Sequence, residues 1–261
     1  MKLTVLGCWA PYPRAGGACS GYLVQDSGVN LLLDCGNGVV AALQKQMDFR
    51  QLDAVIISHL HPDHYLDLYA LRHAVAGSIR DGSRREKLDV YLPKLPEEAF
   101  KPLLKQTDAF NLINIEDLPM GSCRGFSGEL GVAEVGPLKI TVARVNHPLP
   151  TYSIAVENLA RFVYSADTKD FPGLAEWVRG ADLFLCEASV QEADKDYAAG
   201  GHLTAREAGD LAARAGVKKM VLTHFWPEYD LTLSAREAVG TFGRRVIIAR
   251  EGKTYSCGTR R

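Results

Sequence analysis

Apolar positions along this chain come in short runs, each cut by glycine, proline or charged residues. "KLTVLG" (2–7), "SGYLVQ" (20–25) and "NLLLDCG" (30–36) read as strands separated by turns. "GNGVVAALQKQM" then reads as a helix entered through glycines. "LDAVIIS" (52–58) is almost unbroken and carries β-branched residues, which predicts a buried strand. Residues 65–79 predict a helix, 80–87 a polar loop, 88–93 a strand and the region near 96–107 another helix. Residues 137–145 predict a strand, "TYSIAVEN" and "RFVYSAD" a hairpin turning near Asn158, and 181–189 a buried strand. Thr204 and Glu207 form a capping box opening a helix that runs to about Gly216, and Ser234 with Glu237 predicts a second such start. Residues 218–225 predict a strand ending at His224, and 245–252 and "TYSCG" predict closing strands.

Strands dominate early in each half and helices follow. This order predicts an α/β protein with two sheets packed face to face and helices outside. The 261 residues suit a single domain over 1–261, with no low-complexity linker and no clear internal repeat.

Charge and composition narrow the partners. The formal net charge is -1, so no broad cationic field draws in a polyanion from a distance. No run of about twenty apolar residues exists, which predicts no membrane span. The N-terminus lacks the long apolar core of a secretory signal, and the 6 cysteines form no CxxC pair. These features predict a reduced, cytoplasmic protein.

The densest chemistry lies in "ISHLHPDH" at residues 57–64. It holds His59, His61, Asp63 and His64, in a chain with only 7 histidines. Imidazole nitrogens and carboxylate oxygens are the ligands of zinc and similar divalent ions. Pro62 inside the cluster, after a β-run, argues against the regular helix of a metalloprotease site. In an extended segment His59 and His61 point the same way, and a turn after Pro62 swings Asp63 and His64 elsewhere. Four ligands do not complete two metal spheres. His147, Asp167 and His224 each lie just past an apolar run, so one sheet edge could gather them all.

Together these residues resemble the metallo-β-lactamase superfamily. The match is to its HxHxDH signature, followed by an isolated His, an Asp and a final His in the expected order, and to the early "LLLDCG" strand. The resemblance implies a four-layer αββα sandwich with two divalent metal ions, zinc first, with manganese or iron as alternatives. It implies that His59, His61 and His147 hold one ion, that Asp63, His64 and His224 hold the other, and that Asp167 bridges them. Asp34 resembles the family carboxylate that orients a histidine ligand from behind. Two such cations let a hydroxide exist near neutral pH and neutralise charge on the electrophile. This chemistry suits phosphate esters best and also serves lactones, thioesters and β-lactams.

The stretch "GGHLTAREAGDL" refines the reading. The capping box explains Thr204 and Glu207 but not His202, which sits beside two glycines. This context resembles the ribonuclease Z branch and its relatives that cleave small phosphodiesters. There the His donates a proton to the leaving oxygen, and a carboxylate on the preceding strand partners it. Glu187 takes that place, although the family's common His-Glu-Ala-Thr here reads Cys186-Glu187-Ala188-Ser189. The candidate catalytic residues are therefore His202, Asp63 and Glu187. The interval from His147 to Asp167 is short, which leaves no room for the tRNA-binding arm of many family members. The expected activity is hydrolysis of small or cyclic phosphodiesters or of nucleic-acid ends.

The alternatives are a tRNA 3′-end endonuclease, a carboxyl-ester, thioester or lactone hydrolase, and a non-enzymatic metal-binding module. The resemblance suggests a homodimer. Arg72, His73, Arg80, Arg84 and Arg85 offer cations for a second phosphate or a solvated loop. Trp226 and Tyr229 offer either packing or a surface on which a base stacks.

Overall fold

Strand pairing sorts the chain into two sheets. In the computed structural model, which describes residues 1–105, 107–123 and 125–258, the first half supplies β1 (Lys2–Gly7), β2 (Gly21–Asp26), β3 (Val29–Leu33), β4 (Ala54–Ile56), β5 (Leu88–Leu92) and β6 (Phe110–Asn114). The second half supplies β7 (Leu130–Val135), β8 (Leu138–Arg144), β9 (Tyr152–Glu157), β10 (Arg161–Tyr164), β11 (Leu183–Glu187), β12 (Met220–Thr223) and β13 (Val246–Ile248). A last strand, β14 (Thr254–Ser256), returns to pair with β1. The sheet orders are β14-β1-β2-β3-β4-β5-β6 and β13-β12-β11-β10-β9-β8-β7.

Each sheet begins antiparallel and turns parallel, at β3 in the first and at β10 in the second. Parallel neighbours need crossovers, and helices supply them. α1 (Val39–Gln44), α2 (Pro62–Tyr65), α3 (Leu68–Arg80) and α4 (Glu97–Leu103) cross over in the first half. α5 (Leu174–Val178), α6 (Lys195–Ala198), α7 (Ala205–Ala215) and α8 (Leu231–Phe242) do so in the second. The two halves thus repeat a topology that their sequences do not advertise.

Alternation along the strands builds the layers. Leu31 and Leu33 of β3 face the other sheet, in one core with Tyr22, Ile56, Val142 and Tyr164. Leu32 between them faces outward, in a second core with Val39, Leu43, Leu71 and Val75 of α1 and α3. The result is the expected αββα sandwich, an α/β fold. No helix among the described residues is long and apolar enough to cross a membrane.

Local signals held in one place and failed in another. Thr204 and Glu207 form a complete capping box at α7, and Gly216 ends the helix in a left-handed conformation. Ser234 and Glu237 do not open α8. That helix starts one turn earlier, capped by Asp230, whose carboxylate accepts from the Thr232 N–H. Ser234 is buried and accepts from Gln191 Nε2 at 3.1 Å, while Glu237 accepts from the Glu192 N–H. A tertiary contact therefore uses residues that resemble a cap. Strands β6 and β7 escaped sequence reading because both are sheet edges and mostly half-exposed, with little alternation to detect.

Candidate metal centre

All seven proposed ligands lie beyond strand ends at one edge of the sandwich. His59 to His64 follow β4, His147 follows β8, Asp167 follows β10 and His224 follows β12, while Glu187 ends β11. Parallel strands present their C-terminal ends together. β8 joins them because it runs against β9, which runs against β10. The backbone is strained here: Asp34, Ala166 and His224 all have left-handed φ values, of 57°, 53° and 60°. Such geometry in non-glycine residues clusters at functional sites.

The HPDH segment turns as its proline dictates. His61 is the extended N-cap residue and Pro62 opens the one-turn helix α2, where its missing N–H costs nothing. Asp63 and His64 therefore turn away from His59 and His61. Gly36 makes this approach possible, since a Cβ there would lie 1.9 Å from the Asp63 carbonyl oxygen. The Cys35 N–H donates to the His64 carbonyl at 2.6 Å and pins the loop.

Three overlapping donor groups result, of which the third, Asp167 with His202 and His224, shares members with the other two. His59, His61, His147 and Asp167 form the first, and Asp63, His64 and His224 the second, each with its ligand atoms within 4.8 Å of one another. In the first, His61 Nδ1 lies 3.0 Å from His59 Nε2 and 3.2 Å from His147 Nε2. In the second, His64 Nε2 and His224 Nε2 are 3.1 Å apart, with Asp63 Oδ2 3.5 and 3.4 Å from them. Asp167 spans both: Oδ2 is 3.6 Å from His59 Nε2, and Oδ1 is 3.1 Å from His224 Nε2 and 3.4 Å from His64 Nε2.

This arrangement fits divalent cations. Azole lone pairs this close repel unless a positive charge lies among them. Asp167 Oδ1 is buried and makes no hydrogen bond, which is costly for a carboxylate oxygen unless an ion occupies its lone pairs.

The outward nitrogens are held by the protein. His64 Nδ1 donates to Asp34 Oδ2 at 2.8 Å, His147 Nδ1 to the Gly201 carbonyl at 3.0 Å, and His224 Nδ1 lies 2.7 Å from Ser189 Oγ. His59 Nδ1 lies 3.1 Å from Ser58 Oγ. Each contact directs the opposite nitrogen inward and fixes its tautomer. Asp34 is itself fully buried and accepts from the Ser58 N–H and hydroxyl and from the Tyr164 hydroxyl, at 2.7, 2.9 and 2.9 Å. Gly201 must be glycine: its φ is +122°, and a Cβ would lie 2.7 Å from His147 Nδ1. Gly201, next to His202, thus serves the His147 side of the donor cluster.

The electrostatics follow from crowding. Burial pushes the pKa values of His59, His61 and His147 below the ordinary imidazole value. Burial also opposes charge on His64, but Asp167, Asp63 and Asp34 outweigh it and hold its pKa well above that value. Burial opposes ionisation of Asp63 and Asp167 in turn, yet the facing imidazoles of His64 and His224 hold both carboxyls well below their usual range. The pocket strongly favours added positive charge.

His202 sits beside this centre. Its Nδ1 is 3.2 Å from Glu187 Oε1 and 3.9 Å from Asp167 Oδ2. Glu187 is fully buried and also accepts from the Thr168 N–H at 2.7 Å and the Ser189 hydroxyl at 2.5 Å. Burial disfavours the His202 imidazolium, but the Glu187 carboxylate more than compensates and pushes its pKa up to about 9. His202 is 27% exposed and lines a cavity of about 650 Å³ together with His61, Asp63, Asp167 and His224. Its Nε2 has no hydrogen-bond partner among the described residues.

The arginines after the signature loop are otherwise engaged. Arg72 pairs with Asp108, and Arg84 donates to the Arg50, Leu52 and Glu86 carbonyls. Among the described residues, none of Arg72, His73, Arg80, Arg84 and Arg85 lines the cavity, while Trp226 and Tyr229 both do. Sequence reasoning missed Ser58, Tyr164 and Ser189 as orienting groups. Only Ser189 left a trace, as the last residue of the altered family tetrapeptide.

Comparison with known proteins agrees with this geometry. A family model described as a β-lactamase superfamily domain matches residues 29–225. The chain is 32% identical over 254 residues to the probable metallo-hydrolase YhfI of Bacillus subtilis, covering 97% of this chain and 98% of that protein. The crystal structure of YhfI superposes with a TM-score of 0.87, at 30% identity and with 97% and 98% of the two chains covered. Ribonuclease Z of Ignicoccus hospitalis is 29% identical, with 93% of this chain and 94% of that protein covered. A diphosphatase of the PhnP family shares the fold at a TM-score of 0.72 and 18% identity, with 98% and 97% of the chains covered. The chain therefore belongs to the metallo-β-lactamase superfamily and is one of its metal-dependent hydrolases.

Proposed function

We propose that this protein is a dinuclear metal-dependent phosphodiesterase acting on small or cyclic phosphodiesters or on nucleic-acid ends. His59, His61 and His147 would hold one ion and Asp63, His64 and His224 the other, with Asp167 between them. Zinc suits this donor set, as do manganese and iron. Bound there, the cations supply Lewis acidity and acidified water.

The chain's own residues do the rest. Asp34, Ser58, Gly201 and Ser189 hold the ligand imidazoles in one orientation each. His202 keeps Nδ1 on Glu187 and presents Nε2 to the cavity, where it protonates the departing oxygen. The observation that carries this reading is the His202–Glu187 pair beside Asp167. A buried carboxylate that keeps an imidazole charged near neutral pH makes a proton donor, and an alkoxide leaving from phosphorus needs one. Among the described residues no lysine or arginine lines the cavity, which favours a compact diester over a long polynucleotide.

The test is turnover by purified, metal-loaded protein on bis(p-nitrophenyl) phosphate and a panel of cyclic nucleotides, beside a carboxyl ester, a thioester, a lactone and a precursor tRNA. Diester cleavage is expected. Failure on every diester, with turnover of a carbon ester, would replace this reading.

A further inference from the structure

The cavity runs from the donor clusters to a rigidly held, exposed indole. Trp226 lines it and is 42% exposed. His224 and Trp226 are separated only by Phe225, which is fully buried, so their Cα atoms lie within about 7 Å of each other. A group bound at the donors and a ring lying on the indole are thus a short molecule apart.

The platform is fixed before anything binds. The Phe225 N–H donates to the Cys8 carbonyl at 2.9 Å and the Ala10 N–H to the Phe225 carbonyl at 3.0 Å. Arg14 Nε donates to the Pro227 carbonyl at 2.7 Å, and the guanidinium lies 4.3 Å over the Trp9 ring. The Tyr12 ring meets Trp226 edge-on, with centroids 5.8 Å apart and planes at 79°. Tyr12 is anchored by its hydroxyl to Glu228 at 3.0 Å. A tryptophan whose flanking backbone is pinned and whose ring is braced on one side by Tyr12, yet left open to solvent, suits stacking by a flat ring.

Charge restricts what the ring is attached to. Arg14 is committed to backbone carbonyls, and no lysine or arginine lines the cavity among the described residues. Asp194, which takes the Tyr229 hydroxyl at 2.7 Å, adds a negative charge to the wall. Beyond His202 and the donor clusters, a second phosphate would find no lysine or arginine there among the described residues.

Building on the phosphodiesterase reading, we propose that Trp226 is a base-stacking platform and that the substrate is a single-phosphate diester carrying a nucleobase. Stacking on one indole tolerates any base, so discrimination among bases is weak.

The experiment measures kcat/KM for adenosine 3′,5′-cyclic phosphate and for glycerol 1,2-cyclic phosphate, in wild type, Trp226→Ala and Trp226→Phe. The wild type should favour the nucleoside diester. In Trp226→Ala the ratio of the two values should fall about tenfold, mainly through KM, and Trp226→Phe should restore most of it. A wild type without that preference, or an unchanged ratio in Trp226→Ala, overturns the proposal. If wild type cleaves neither of these nor any other diester of the panel, including bis(p-nitrophenyl) phosphate, but turns over a carbon ester, the phosphodiesterase reading fails. Indole fluorescence titrated with adenosine monophosphate then decides the platform alone: quenching that Trp226→Phe abolishes supports it, and no quenching, or quenching the variant keeps, overturns it.

Discussion

Replacing Glu187 by Gln removes one charge from the site and changes almost no volume. In the native protein Glu187 Oε1 accepts from the Thr168 N–H and His202 Nδ1, and Oε2 accepts from the Ser189 hydroxyl. A glutamine carbonyl keeps the first two bonds. Its amide then faces Ser189 Oγ, which already serves His224 Nδ1 at 2.7 Å, so the serine hydroxyl loses its acceptor. The larger effect is on His202. Glu187 is the main influence holding that pKa up at about 9 against burial, so without it the pKa returns to about 6.5 or below. The difference is about 3 kcal/mol of preference for the imidazolium. At pH 8 the protonated fraction falls from about nine-tenths to about three-hundredths, roughly thirtyfold, whereas at pH 6 it falls less than twofold.

The expected result is a turnover–pH profile that falls off at lower pH in Glu187→Gln than in wild type, with a defect that grows as pH rises between the two His202 pKa values and shrinks below both. Cations in the site shift both profiles to lower pH by the same field, so the offset between wild type and variant is the readout. The apo protein gives a second assay. Because the folded-state pKa is raised, the pair's stabilisation is complete below about pH 6.5 and is lost as pH rises through about 9. The Tm advantage of wild type over Glu187→Gln should follow that course. Turnover–pH profiles of wild type and Glu187→Gln with no offset between them would refute the reasoning and leave Glu187 a structural part only.

His202→Ala should lower kcat by about 10²- to 10⁴-fold with both metals retained, as measured by turnover beside elemental analysis. Metal lost together with activity would reassign His202 to the architecture of the site. Asp34→Asn should weaken metal binding about 10- to 100-fold in calorimetric titration, because the amide no longer offers an anionic acceptor to His64 Nδ1. Ser189→Ala should weaken the ion held by His224 over a similar range and Ser189→Thr should retain it, whereas unchanged affinity in Ser189→Ala would show that the 2.7 Å contact does not orient the ring. Removing metal by chelation should lower Tm, and restoring it at about one hundred times Kd should recover about 5–10 °C in a differential scanning measurement.

Much of this site was legible in the linear chain because ligand chemistry is carried by residue type. His59, His61, Asp63 and His64 stand in one loop, and His147, Asp167 and His224 each follow an apolar run that has little choice but to be a strand. Local signals served where backbone donors decide the outcome, as at Thr204 and Glu207. They misled at Ser234 and Glu237, where Gln191 and Glu192 claim the same groups.

What the residues alone could not determine was convergence. The clusters close because β4, β8, β10 and β12 end at one edge, and that depends on pairing between distant segments. The same pairing sets Ser58, Tyr164, Ser189 and the Gly201 carbonyl behind the ligand histidines, with no periodicity or motif to announce them. It also turns Arg72 and Arg84 toward structural partners while leaving Trp226 bare at the cavity. Sequence determines which side chains carry ligand atoms and which runs become strands, since those are local properties. Only the packed sheets decide which of those atoms meet, because a contact across the sandwich is stabilised jointly by both of its surfaces.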